Sequence, residues 1–179
     1  MGSMVAGLRD IDNQGTSYVR ASAILPAMPD YAISWHVEPQ YAGAVRKRSL
    51  AAQARRVLSR EGVAPPAELS IVVTNDATVR ELNRRFRGED APTDVLSFGP
   101  EVQERFVMPP DVRWLAGEVV ISFPTAARQA KAAGHDVDAE LAHLLVHGIL
   151  HVLGHDHKTA TEARAMHARE DELLGRPAH

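Results

Sequence analysis

Four of the nine histidines in this 179-residue chain fall in one short stretch, His147-Gly148-Ile149-Leu150-His151-Val152-Leu153-Gly154-His155-Asp156-His157. His147 and His151 are four residues apart, so on a helix they share one face with Cβ atoms roughly 5–6 Å apart. Two imidazoles at that separation can reach one ion at Zn–N distances of about 2.0–2.1 Å. Gly154 is the residue best able to adopt a left-handed turn. The helix is therefore expected to stop there and the chain to fold back, delivering His157 as a third ligand. Three neutral nitrogen ligands leave a fourth position for water or substrate, the pattern of a catalytic rather than a closed structural site.

The spacing H-x3-H-x2-G-x2-H is similar to that of the metzincin proteases, in which a glutamate after the first histidine acts as general base. Gly148 occupies that position here, so the helix keeps the metal ligands and lacks the carboxylate a zinc peptidase needs. The neighbouring histidines have plainer readings. His143 continues the four-residue spacing upstream, but a further histidine on an apolar helix is expected to serve packing. His155 falls after Gly154, where the helix has ended, and is expected not to ligate.

The histidine helix should be well packed. Leu141, Leu144, Leu145, Val146, Ile149, Leu150, Val152 and Leu153 surround most of its circumference, which predicts burial with the histidines at the floor of a cleft. Asp136 is the expected N-cap, with Asp138 and Glu140 in the first turns. Gly148 inside a helix costs about 1 kcal/mol relative to alanine, which suggests close approach by another backbone or by substrate. Thr159 and Glu162 form a capping box for a last helix running to Leu174 and stopped by Gly175, with Met166 read as core.

Upstream, Ile33 to Val37 is a short edge strand, and Leu50, Ala54, Val57 and Leu58 mark an amphipathic helix between Arg46 and Glu61. The basic residues of that helix, Arg46, Lys47, Arg48, Arg55, Arg56 and Arg60, read as a solvated face. Leu69 to Thr74 is a buried strand. Asp76 is expected to cap a helix that turns Val79, Leu82 and Phe86 inward. Arg87 to Thr93 reads as a polar turn, Val95 to Phe98 as a strand, and the proline-broken stretch Gly99 to Arg113 as a surface loop. Glu118 to Phe123 is a further strand, followed by a helix opening at Pro124 and ending before Gly134.

These elements predict an α+β fold: a single domain with a small mixed β-sheet of about four strands packed against helices, and the zinc-binding helix buried in the core. Residues 1–32 show no clear period and are expected to form a flexible or tag-derived extension, residues 33–175 the folded domain, and residues 176–179 a short tail. Apolar residues make up 45% and charged residues 24%, ordinary for a globular protein. The net charge of −3 excludes indiscriminate coating of nucleic acid but not a local basic cleft. The absence of cysteine excludes disulfides and thiolate ligands, and is compatible with a cytoplasmic location. No apolar run is long enough to span a membrane.

Two stretches together carry a family resemblance: Leu82-Asn83-Arg84-Arg85-Phe86-Arg87-Gly88-Glu89-Asp90-Ala91-Pro92-Thr93-Asp94-Val95-Leu96-Ser97-Phe98, and His147 through His157. Gly117 to Ser122 adds weaker support. The chain resembles the YbeY family of metal-dependent endoribonucleases, which act in ribosomal RNA maturation. The resemblance covers about Ile33 to Gly175. It implies one zinc per chain on His147, His151 and His157, a functional arginine at Arg87, single-stranded ribosomal RNA as substrate, and the small ribosomal subunit and assembly factors as partners, with no DNA and no membrane. Three departures stand out: the longer segment before Ile33, His155 where the family often has tyrosine, and Glu118 where aspartate is common.

On this reading a zinc-bound water, held by His147, His151 and His157, attacks an RNA phosphodiester while Arg87 clamps the phosphate through its planar fork. Two other functions fit the residues. One is a peptidase that draws its base from elsewhere. The other is a ribosome-assembly or RNA-binding factor whose zinc is structural, for which a fourth protein ligand, most readily His155, is required.

Overall fold

The apolar stretch around the histidines becomes the helix on which the rest of the domain packs. The computed structural model describes residues 10–11, 17–18, 30–100 and 113–175. Their order is β1 (Asp10–Ile11), β2 (Ser17–Tyr18), β3 (Tyr31–Val37), α1 (Lys47–Arg60), β4 (Ala67–Thr74), α2 (Asp76–Arg87), β5 (Val95–Phe98), β6 (Trp114–Ser122), α3 (Phe123–Ala133), α4 (Val137–Val152) and α5 (Ala160–Leu174), with a 3-10 turn at Pro39–Tyr41. Strands β3 to β6 form one mixed sheet in the order β3-β4-β6-β5. The β3/β4 and β4/β6 pairs are parallel, and β5 runs antiparallel on the far edge. This is the α+β domain with a small four-stranded sheet that the sequence predicts, and β3 is an edge strand as expected.

Strand alternation sends side chains to two faces. Leu69, Ile71, Val73, Val119 and Ile121 join the larger core with α1, α4 and α5, while Val120 and Leu96 meet Val79 of α2 on the opposite face. Helix α4 lies in the larger core, with Leu141, Leu145, Val146, Ile149 and Leu150 fully buried. Its polar stripe is narrow: His143, His147 and His151, at four-residue spacing, are half-buried between buried neighbours. Burial on nearly all sides thus leaves the histidines one direction in which to face.

Several local expectations change. Helix α2 is capped by Asn75, whose side chain accepts from the Thr78 N–H at 3.0 Å. Asp76 is the first helical residue and instead ties α2 to α3, accepting from Thr125 Oγ1 at 2.7 Å and Arg128 Nη2 at 2.9 Å. Phe86, expected inward, is 57% exposed; it meets the edge of Phe98 at 5.2 Å between centroids and the Arg85 guanidinium at 5.3 Å from its ring centre. The last turn of α2 lies beside β5, the edge strand, where the sheet offers little further surface to cover it. On α1, Arg46 bonds Asp138 at 2.8 Å and Arg55 donates to the Tyr31 carbonyl at 3.0 Å, so part of that basic face fastens neighbouring elements.

The folded sheet begins two residues before the expected boundary. Tyr31 is buried and donates its hydroxyl to the Val63 carbonyl at 2.5 Å, and Ala32 pairs with Glu68. Strands β1 and β2 pair antiparallel within the segment expected to be a tail. The remainder of that segment, most of the expected Gly99–Arg113 loop, and residues 176–179 lie outside the described residues.

Gly148 is explained by the sheet rather than by substrate or another backbone. A Cβ there would sit 2.6 Å from Val119 Cγ1 and 3.2 Å from both Ser97 Oγ and Val95 Cγ2. Val119 is buried and β-branched, so it cannot rotate clear. Gly148→Ala would gain about 1 kcal/mol of helix propensity but incur overpacking of typically 1–3 kcal/mol. At this separation the upper end applies, and a net loss of about 1–2 kcal/mol is expected. Urea unfolding midpoints of the two proteins check it; a stabilised variant would mean that α4 can slide away from the sheet.

Candidate metal centre

The three histidines predicted to ligate converge. Helix α4 ends at Val152 with Leu153 as its C-cap, and Gly154 takes φ +92°, a conformation that favours glycine. The His155 N–H bonds the Leu150 carbonyl and the Gly154 N–H bonds the His151 carbonyl, each at 3.0 Å, which is the Schellman closure of a helix. The chain reverses and brings the His157 ring to 5.0 Å from His151 and 5.8 Å from His147, centroid to centroid. One ring nitrogen from each of His147, His151 and His157 lies within 4.8 Å of the others, so the cluster can hold a metal ion. The Nε2 atoms of His147 and His151 are 3.1 Å apart.

The electrostatics suit ligation, because a histidine must be neutral to donate a lone pair. Burial, and then the neighbouring imidazoles of His147 and His157, hold the His151 pKa below its ordinary value. His147 is oriented from behind: its Nδ1 lies 2.6 Å from Oε1 of the buried Glu170 on α5. A carboxylate only accepts, so Nδ1 carries the proton and Nε2 is left to face the site.

The two histidines read as non-ligands also have partners. His155 Nε2 sits 2.9 Å from Oε2 of Glu61, whose other oxygen accepts from Arg169 at 2.6 Å, so the ring is drawn toward the end of α1. His143 lies between two buried carboxylates, 3.7 Å from each of Glu140 and Glu170. Glu118 accepts from Ser70 Oγ at 2.9 Å, a role within the sheet.

The triad lines a cleft of about 680 Å³ together with Thr93, Asp94, Val95, Ser97, His155 and the exposed Arg87. The segment from Thr93 to Ser97 is tied in place by hydrogen bonds. Asn83 Nδ2 donates to the Ala91 carbonyl at 2.9 Å, and Asp94 accepts from the Val95 N–H and from Gln129 Nε2, each at 2.8 Å. Arg80 pairs with Asp90 and Arg84 with Glu81, whereas Arg87 has no hydrogen bond or ion pair among the described residues. Its guanidinium is therefore available to a ligand in the cleft.

The family model described as Endoribonuclease YbeY matches residues 38–177, most of the chain. The chain belongs to the YbeY family. A YbeY endoribonuclease of Roseiflexus castenholzii is 44% identical over 140 residues, covering 78% of this chain and 88% of the relative. One from Moorella thermoacetica is 50% identical over 117 residues, covering 64% and 75%. Among solved structures, that of TM1509 from Thermotoga maritima superposes with a TM-score of 0.50 at 24% identity over 80% of this chain and 89% of the other, a likeness of fold.

Within this YbeY chain, Glu170, which contacts His147, is the neighbour of the triad that sequence reading missed. A signal was present: Glu170 falls between Met166 and Leu173 on the buried stripe of α5, where an apolar residue is expected. Burial alone would push its carboxyl up, but hydrogen bonds from His143 and His147 outweigh that and hold it at about 2. The stabilisation from Glu170 is thus fully present above its unfolded value near 4.5 and lost as pH falls toward 2. His151 acts earlier, because the unfolded chain takes up its proton near 6.5 before the folded chain does. Metal-free protein is expected to lose stability first as pH drops below about 6.5, and again between about 4.5 and 2. Urea midpoints across pH check this, and a flat profile from 6.5 to 2 would contradict both assignments.

No helix among the described residues is long and apolar enough to cross a membrane.

Proposed function

We propose that the chain is a zinc-dependent endoribonuclease that hydrolyses single-stranded RNA, acting in the cytoplasm on ribosomal RNA, in particular the 3′ end of the small-subunit RNA, and in ribosome quality control. The observation that carries the reading is the cleft itself. Three converging imidazoles line it, and so does an exposed arginine without a side-chain partner among the described residues. The names of the relatives, endoribonucleases, agree with it.

His147, His151 and His157 would hold the ion, which, once bound, supplies Lewis acidity toward a phosphoryl oxygen and toward water. Arg87 presents a planar fork matched to two phosphate oxygens and stabilises the charge that develops on them. Asp94 is already engaged by three donors, Thr93 Oγ1, the Val95 N–H and Gln129 Nε2, and serves to fix this side of the cleft. With a net charge of −3, contacts to RNA are confined to this cleft, so binding is modest and weakens with salt. Small-subunit ribosomal components are the natural partners of such an enzyme.

Position 148 argues against the peptidase reading: a side chain there would run into Val119 and cannot serve as the protease glutamate does. A structural zinc would need a fourth protein ligand, and the nearest candidate, His155, is paired with Glu61. The test is cleavage of end-labelled single-stranded RNA, with duplex RNA and a peptide as controls, before and after metal removal and zinc return. Cleavage of RNA that survives metal removal, or cleavage of the peptide, would sink the proposal.

A further inference from the structure

Beyond the triad, the site has a buried carboxylate that none of the proposed chemistry uses. Glu170 lies on α5, a helix whose cap, Thr159, comes two residues after the third histidine. The chain therefore leaves the site at His157, enters α5, and returns to the same histidines three turns later through Glu170. Its Oε1 receives His147 Nδ1 at 2.6 Å, and its Oε2 lies 3.7 Å from His143 Nε2. Behind His143 stands Glu140, also buried, at 3.7 Å, and Glu140 in turn lies 3.0 Å from His135 Nε2. Imidazoles and carboxylates thus alternate outward from the metal site, and the one charged group on the buried stripe of α5 is aimed at a metal ligand.

We propose that Glu170 is the positioning residue of the metal centre, setting the tautomer and direction of His147, and that through it the docking of α5 and the occupancy of the metal site are thermodynamically linked. A neutral imidazole has one proton to place. The carboxylate takes it at Nδ1, leaving the Nε2 lone pair directed at His151 and His157, and makes the ring a stronger donor. Without Glu170 the ring can flip or hold its proton on Nε2, and both lower affinity. Linkage is reciprocal: if docked α5 favours metal, metal favours docked α5 by the same factor. The other hydrogen-bonded anchors of α5, Arg169 on Glu61 and on the Arg60 carbonyl and the Leu173 carbonyl under Gln53, are made to α1 and its C-cap rather than to the triad. Glu170 is the anchor through which coupling runs.

This inference rests on the metal reading of the triad and is independent of RNA cleavage, so its test measures metal rather than activity. Zinc affinity is measured by competition with a chromophoric chelator for wild type, Glu170→Gln and Glu170→Ala, together with hydrogen exchange of α5 amides with and without zinc. Outer-shell partners of ligating histidines typically contribute 10–100-fold in metal affinity. Glu170→Gln keeps size and an acceptor oxygen, so a loss of about tenfold is expected, with about 100-fold for Glu170→Ala. Zinc should slow exchange across α5 in wild type and much less in Glu170→Gln, a difference that a purely structural contact would not produce. Should Glu170→Ala fail to fold, the isosteric Gln variant decides. Glu170→Gln binding zinc within twofold of wild type, with the same protection of α5, would overturn the proposal while leaving the metal site standing. Wild type taking up no zinc would overturn the metal reading and this one together.

Discussion

His151→Ala is expected to give a folded protein that holds almost no zinc and cuts RNA no faster than background. Zinc sites with four protein ligands bind with roughly 10–16 kcal/mol, about 3 kcal/mol per ligand, so loss of one ligand weakens binding on the order of a hundredfold. A site with three ligands has less in reserve. His151 is half-buried, and the side-chain contact of its Nε2 among the described residues is to another member of the triad, His147 at 3.1 Å, so folding should survive. His147→Ala and His157→Ala should behave alike, whereas His155→Ala should keep its zinc, because that ring is paired with Glu61. Metal analysis of the four variants by mass spectrometry checks the set. Full zinc in His157→Ala together with loss in His155→Ala would replace the third ligand.

Arg87→Ala is expected to separate chemistry from metal binding: zinc content unchanged, and kcat/KM for RNA down about a hundredfold. Removing one preorganised donor to a transition-state oxyanion costs about 10²–10³-fold, and the lower end applies because Arg87, though it lines the cleft, is exposed. Arg87→Lys should recover only part of the loss, since a point charge lacks the bidentate fork. Arg84→Ala is the matched control, because that arginine is already paired with Glu81. Equal cleavage by wild type, Arg87→Ala and His151→Ala preparations would point to a contaminating nuclease and favour an assembly factor with structural zinc.

Much of this is legible in the sequence alone, because the decisive relations are local. The i, i+4 pair His147 and His151, the glycine at 154 and the histidine three residues on are set by helix periodicity and by the φ that glycine tolerates, and neither depends on the rest of the fold. The same holds for the capping box at Thr159, the amphipathic face of α1 and the extended run of β3. Local patterns misled where two residues competed for one role. Asn75 took the cap because Asp76 was drawn into the bonds to α3, and Phe86 stayed out because the sheet ends at β5.

What periodicity cannot carry is contact between segments far apart in the chain. The pattern along α4 says that Gly148 is small but not that Val119 fills its place, and it marks His147 without naming the carboxylate behind it. Sequence by itself determined the ligand spacing, the helices and strands, and the family motif. Only the tertiary structure decided that α5 brings Glu170 to His147, that Glu61 pairs with His155, and that Arg87 lines the same cleft as the triad. A buried charge or a shared cleft depends on which elements pack together, and that is settled by the whole core at once.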